Sequence, residues 1–362
     1  MSVNIEIIDH TMHWIAGRQP AIADYPALVA LMKKYPVACL DFLSCDEPLS
    51  HYMRCALPVR IEAIPCMAEL SRIGLSGHRN IAIKWKHGQG NTGDLSELLD
   101  VTVDLFDQVF LKLTDAPALD NTTLGNYVNL LESRHVSGLI YCDDESRLEP
   151  QSVLKRLRHL RQKACCALEF CGGNAHGLAT ANTFAALCAG ITRVHTSVGG
   201  TEKAVGAAME EMLMCAKRFL RMDNVAHTEN LASDCEAIMQ TAQVEIPLNK
   251  AIIGKDIFAH ESGIHVDGVI KNPKLYESIE PQEVGLTRRL VIGKHSGQKS
   301  IRMKLTEWGF ETTDELTDCL IAQVKQIAAK QQHALADSQL KDLYDKTARG
   351  FLLAPMGCGE VC

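Results

Sequence analysis

One recurrence constrains this chain more than any other feature. Short β-branched or apolar runs, separated by stretches of 3.6-residue periodicity, repeat along the first 200 residues. The runs fall at 5–9, 38–43, 60–65, 80–85, 109–113, 138–143, 167–171 and 192–198. The periodic stretches between them include 152–162 and 180–189. Each unit takes roughly 20 to 35 residues, the size of a βα repeat. Eight units in a row predict an α/β chain folded as a (β/α)8 TIM barrel. A doubly wound open sheet is the alternative that pattern alone leaves, and the count of eight favours closure. Function in such a barrel gathers at the C-terminal strand ends. That points to residues 9–13, 143–147, 171–176 and 195–202.

Beyond about residue 224 the texture changes. A helical stretch at 231–241 leads past Pro247 into a segment rich in Gly, His and charge that runs to Lys304. Thr312-Thr313-Asp314-Glu315 offers a capping box. It opens a helix with Leu316, Leu320, Ile321, Val324 and Ile327 on one face. We therefore expect a barrel domain over 1–224, a smaller, mainly helical C-terminal region over 225–350, and a flexible tail over 351–362. No internal repeat beyond the βα unit and no low-complexity segment is present.

The net charge of -7 argues against general affinity for nucleic acid or anionic membranes, while leaving room for a local basic pocket. No apolar run is long enough to span a bilayer, and the N-terminus carries no signal-like segment. The 14 cysteines are scattered singly, as reduced thiols of a cytoplasmic protein would be. Cys358 and Cys362 form a terminal pair with two readings, a metal or disulfide site or inert thiols on a flexible end.

Four ordered pieces in the C-terminal region narrow the possibilities. They are Phe258-Ala259-His260-Glu261-Ser262-Gly263-Ile264-His265-Val266-Asp267-Gly268, then Tyr276-Glu277, then Pro281-Gln282-Glu283-Val284-Gly285, then Gly293-Lys294-His295-Ser296-Gly297. The set resembles the C-terminal subdomain of the homocitrate synthase and 2-isopropylmalate synthase family, including the nitrogen-fixation-type homocitrate synthases. The barrel agrees at Ile8-Asp9-His10-Thr11-Met12, Leu148-Glu149-Pro150, Gly177-Leu178-Ala179-Thr180-Ala181-Asn182, Glu202-Lys203-Ala204 and Met209-Glu210-Glu211. The resemblance runs from about residue 5 to residue 335.

The resemblance implies an acyltransferase that condenses acetyl-CoA with a 2-oxo acid, as a homodimer. A divalent cation holds the oxo acid and polarises its carbonyl, a cationic side chain pairs with it, and a base deprotonates the acetyl methyl group. On this chain the resemblance assigns the catalytic roles to His265 and Tyr276, oxo-acid contacts to His13 and Thr196, and metal ligation to Asp9. The plainer alternatives are a turn or interface role for the C-terminal histidines and a simple strand role for Thr196.

The same comparison exposes losses. Cys171 and Gly173 stand where the family has its two strand-seven histidines, and Gly206 stands where an asparagine is expected. His13 replaces an arginine and Trp14 an acidic residue, and no Asp or Glu occurs between Asp9 and Asp24. Glycine offers no side-chain ligand, and thiolate is a poor donor for Mg or Mn. A rearranged zinc site from Asp9, Cys171 and His176 or His195 stays open as an alternative. Two readings follow: a homocitrate-synthase-like enzyme with an altered site, or a catalytically inactive paralogue that binds a carboxylate or regulates a true synthase. The losses favour the second.

Asp143, Asp144 and Arg147 form a charged turn, either an ion-paired loop or a pocket wall. Lys155, Arg156, Arg158, Arg161 and Lys163 read as the solvated outer face of a helix.

Overall fold

The computed structural model describes residues 4–18, 25–44, 56–90, 92–201, 206–261, 268, 272 and 275–353. The chain divides into two compact units, Met1–Pro247 with Ala251–Ile253, and Leu248–Lys250 with Gly254–Cys362. The expected boundary at 224 thus shifts: the helix Leu231–Thr241 groups with the first unit and packs its Leu231, Cys235, Ile238 and Met239 inward.

The first unit is a closed barrel of eight parallel strands in sequential order. They are β1 Glu6–Asp9, β2 Val37–Leu43, β3 Val59–Ala63, β4 Asn80–Trp85, β5 Gln108–Leu113, β6 Gly138–Asp143, β7 Ala167–Gly172 and β8 Arg193–Thr196. The barrel closes where β1 pairs with β8, with Asp9 opposite Thr196. The doubly wound alternative is excluded by that closure. Parallel strands are buried on both faces, so their sequences read as continuous apolar runs. That is why the runs are legible.

Around the strands lie α1 Thr11–Arg18, α2 Tyr25–Met32, α3 Met67–Leu75, α4 Thr92–Leu105, α5 Asn121–Ser133, α6 Pro150–Lys163, α7 Ala179–Cys188, α8 Met209–Phe219 and α9 Leu231–Thr241. In α6 the start is written locally. The Glu149 side chain accepts the Ser152 N–H, and Pro150 sits where no intrahelical donor is needed. Val153, Leu157 and Leu160 then face the barrel, and Lys155, Arg158, Arg161 and Lys163 face outward, but Arg156, expected with them, is half-buried and donates from Nη1 to the Leu119 carbonyl at 3.0 Å.

The second unit has its own core, with Ile292, Ile301, Leu305, Leu316, Leu320, Val324 and Leu340 buried together. Its helices are α10 Gln298–Glu307, α11 Asp314–Gln331 and α12 Asp337–Leu353. Short strands β9 Ala259–His260 and β10 Arg289–Leu290 pair in parallel. Helix α11 starts one residue later than the capping box implies. Thr313, not Thr312, is the N-cap, and its Oγ1 accepts the Leu316 N–H at 3.2 Å, which leaves Glu315 out of a box. A reciprocal capping box does form upstream, where Glu280 and Glu283 flank Pro281 and Gly285 ends the turn at φ 79°. Glycine takes that conformation without strain. Among the described residues, no helix is long and apolar enough to cross a membrane.

Candidate functional site

Side chains alternate across a strand, and the inward positions of this barrel are unusually charged. Arg60 on β3 donates from Nε and Nη2 to the two Asp41 carboxylate oxygens at 2.9 and 2.7 Å. It also donates from Nη1 and Nη2 to Glu169 on β7, at 3.0 and 2.8 Å. Strands β3 and β7 lie on opposite sides of an eight-stranded barrel. The guanidinium therefore spans the barrel interior, with its side chain 1% exposed. Arg193 reaches the same Glu169 through Nε at 2.8 Å, and Glu6 as well.

Two histidines complete the network. His10 Nε2 meets His195 Nδ1 at 2.8 Å, and His195 Nε2 meets Glu169 Oε2 at 2.8 Å. A carboxylate only accepts, so His195 carries its proton on Nε2 and takes a hydrogen bond from His10 on Nδ1. Burial, then the neighbouring His195, Lys112 and Arg60, holds His10 well below the usual imidazole range. Burial lowers His195 too. Burial opposes the Glu169 charge, yet Arg60 and His195 keep its carboxyl well below the carboxylate range.

The residues expected to bind metal do not assemble. Asp9 is fully buried at the end of β1, but its carboxylate accepts the Thr11 hydroxyl at 2.6 Å and the Met12 N–H at 3.3 Å. It caps α1. Burial pushes its carboxyl up to about 7, so half of these groups are neutral near neutral pH. Cys171 packs at 0% exposure among Ala82, Phe110, Ile140 and Cys142. A Cβ on Gly173 would stand 2.5 Å from the Asp144 carbonyl oxygen, and one on Gly206 would stand 2.1 Å from Asn174 Cβ. His176 lies exposed in the turn after β7. The expected zinc grouping of Asp9 with Cys171 and His176 or His195 is not formed. Among the described residues, one group of three has donor atoms close enough for an ion: His10, Asp41 and His195, all within 4.8 Å. Those donors are spent on each other and on Arg60. The residues present do not fit the hard cation that the family resemblance implies.

His13 is the residue that the resemblance assigns to the oxo acid in place of an arginine. It lies on α1 with Nδ1 accepting the Leu43 N–H at 3.3 Å, and its ring meets Phe42 edge-on at 6.4 Å. Burial lowers its pKa further, leaving a neutral imidazole. Thr196 is buried on β8, and its hydroxyl has no hydrogen-bond partner among the described residues. That orphan oxygen suits a ligand contact. In the second unit Tyr276 is 46% exposed. His265, Glu202, Lys203, Ala204, Cys358 and Cys362 lie outside the described residues.

The charged turn after β6 is both an ion-paired loop, through Arg147 and Glu145, and part of a pocket wall, through Asp144. Asp143 accepts the Arg147 and Leu148 N–H groups at 2.8 and 3.0 Å, and Arg147 pairs with Glu145. Beside it opens a cavity of about 320 Å³, lined by Lys84, Lys86, Lys112, Thr114, Asp115, Cys142, Asp144 and Glu145. A second hollow of about 360 Å³ at the ends of β3 to β5 shares Lys84, Lys86 and Thr114. Lys84 and Lys112 each hold Glu62 at 2.7 Å, while Lys86 stands exposed at the rim. Sequence reasoning misses both this charged mouth and the interior network. The available signal is charge at alternate positions inside apolar runs: Arg60 and Glu62, Lys84 and Lys86, Glu169, Arg193 and His195.

The fold defines a class, an eight-stranded α/β barrel followed by a separate C-terminal unit. Residues 97–244 match the HMGL-like family model, and residues 252–332 match the homocitrate synthase post-HMGL domain-like model. The chain is 33% identical over 266 residues to homocitrate synthase 1 of Nostoc sp., covering 73% of this chain and 70% of that one. It is 35% identical over 238 residues to 2-isopropylmalate synthase 2 of Caldanaerobacter subterraneus, covering 66% of this chain. The aligned part is 62% of that synthase, less than two thirds of its length. HMG-CoA lyase from Brucella melitensis shares the fold, with TM-score 0.52 at 14% identity over 66% of this chain and 98% of that one. The chain belongs to the homocitrate synthase and 2-isopropylmalate synthase family.

Proposed function

We propose that this chain binds a carboxylate at the barrel mouth and does not carry out the metal-dependent condensation that the family resemblance implies. The observation that carries this is the end of β7. One expected imidazole position is a thiol packed into the core, and the other is a glycine with no room for a side chain. Those are the two positions at which the family resemblance places the cation's imidazole donors, so of the implied set only the Asp9 carboxylate is present. With His13 neutral and Asp9 engaged as a cap, neither the metal nor its partnering cation is supplied.

The carboxylate reading rests on Lys86, exposed at the rim of a cavity that Lys84, Lys112 and Thr114 also line, since Lys84 and Lys112 are held by Glu62 and Asp115, Asp144 and Glu145 share the wall. Ammonium groups at a partly desolvated mouth favour a compact anion. The Thr196 hydroxyl, at the end of β8, is a further polar group with no partner among the described residues. A cytoplasmic homodimer that engages a 2-oxo or hydroxy dicarboxylate, or that pairs with an active synthase, is consistent with these features.

The test is release of CoA thiol from acetyl-CoA with 2-oxoglutarate, 2-oxoisovalerate or pyruvate, in Mg or Mn. The expected result is no release above background, with calorimetric binding of the dicarboxylate weakened about tenfold by Lys86→Ala, as expected for one lost charge contact. A second reading keeps the acyltransferase, with His265 and Tyr276 as its catalytic groups. The retained motifs and the orphan Thr196 hydroxyl favour it. Thiol release that requires a 2-oxo acid and disappears in His265→Ala would establish it.

A further inference from the structure

Cys142 on β6 and Cys171 on β7 stand directly opposite each other in the parallel ladder. Neighbouring strands run about 4.8 Å apart, inside the Cα separation that a disulfide spans. Both side chains belong to one buried cluster with Ala82, Phe110 and Ile140, so they share the inward face. Cys142 lines the cavity that holds Lys112, and Cys171 is fully buried. Burial pushes the thiols of Cys39 and Cys188 up, and that of Cys215 to about 11. Cys142 moves the other way, because the Cys171 hydrogen bond, aided by the Lys112 ammonium, outweighs its burial. The thiolate is the form that peroxides oxidise.

We propose that Cys142 and Cys171 form a reversible dithiol–disulfide couple, oxidised by a small hydroperoxide that enters the lysine-lined cavity. The Cys142 thiolate attacks one peroxide oxygen. The O–O bond breaks, the departing hydroxide takes a proton and leaves as water, and Cys142 becomes a sulfenic acid. Cys171 then loses its proton and attacks the Cys142 sulfur. The S–S bond forms, the S–O bond breaks, and the hydroxyl leaves with that proton as a second water. One hydrogen peroxide is reduced to two waters, while two thiols lose two electrons and two protons. The couple does not depend on whether a carboxylate binds.

The test treats the reduced full-length chain with a small excess of hydrogen peroxide, alkylates the remaining thiols and maps the tryptic peptides. The expected product links residues 135–147 to residues 164–193 through Cys142 and Cys171, and dithiothreitol reverses it. In Cys171→Ser, which preserves side-chain size, Cys142 is expected to stop at the sulfenic acid and to be trapped by a dimedone probe. In Cys142→Ser, Cys171 is expected to remain an unreacted thiol. The exposed Cys66, Cys165 and Cys188 serve as internal references. If Cys142 still carries the alkyl label after those three have oxidised, or if it links to a different cysteine, the proposal is wrong.

Discussion

Arg60 holds two carboxylates inside the barrel, so its removal is not a simple deletion of a contact. Breaking a buried ion pair leaves uncompensated charge and costs about 3–5 kcal/mol. Arg60→Met should show a loss of that order in the urea midpoint, because Asp41 then loses its cation and Glu169 keeps only Arg193. An unchanged midpoint would mean that water reaches the network. Asp9 makes a prediction of opposite character. Its folded pKa of about 7 lies above the ordinary 3.8, so the folded state binds the proton more tightly. The stability contributed by this group is fully present below about pH 4, falls as pH rises through 7, and is gone above it. Asp9→Asn should therefore gain on the native chain as pH goes from 5 to 8, read as the difference of their melting temperatures. Neither behaviour is legible in the sequence. A place at a strand end marks Asp9 as a ligand, whereas its role as a cap follows from Thr11 and Met12 folding back onto it.

Strands and helices are legible, because their patterns are local. The run at 80–85 and the helix at 231–241 match their sequence patterns to the residue. What pattern cannot supply is the space between elements. The turn from β7 passes so close to the loop after β6 that Gly173 has no volume for a Cβ. Overpacking of this kind costs about 1–3 kcal/mol, so Gly173→Ala should lower the melting temperature measurably. Restoring Cys171→His and Gly173→His together should yield an unstable protein without Mn affinity, checked by calorimetry. Helix α11 offers a simpler case, for its first turn depends on one hydroxyl. Thr313→Ala should cost about 1 kcal/mol, whereas Thr312→Ala should leave denaturant stability unchanged. The reverse result would restore the box that the sequence suggests.

At the scale of the whole molecule, the barrel and the C-terminal unit have separate cores. Leu320 is fully buried in the second. Leu320→Ala should cost about 2–5 kcal/mol, and hydrogen exchange should show lost protection across α10 to α12 with the barrel strands unchanged. Spread of the effect into β1 to β8 would indicate one cooperative body. The order of the strands is readable from their count, but the contents of the barrel are not, because partners there are distant in sequence. Arg60 lies 19 residues from Asp41 and 109 from Glu169. That spacing has a consequence for synthesis. A chain emerging from the ribosome presents Arg60 with its near partner early, and with its far partner only after most of the barrel has been made. Until then the centre of a half-built barrel holds a guanidinium with only its two bonds to Asp41 made and its two to Glu169 unmade, so partial barrels gain little by collapsing early. The arginine acts as a timing device that withholds full reward from closure until the seventh strand arrives.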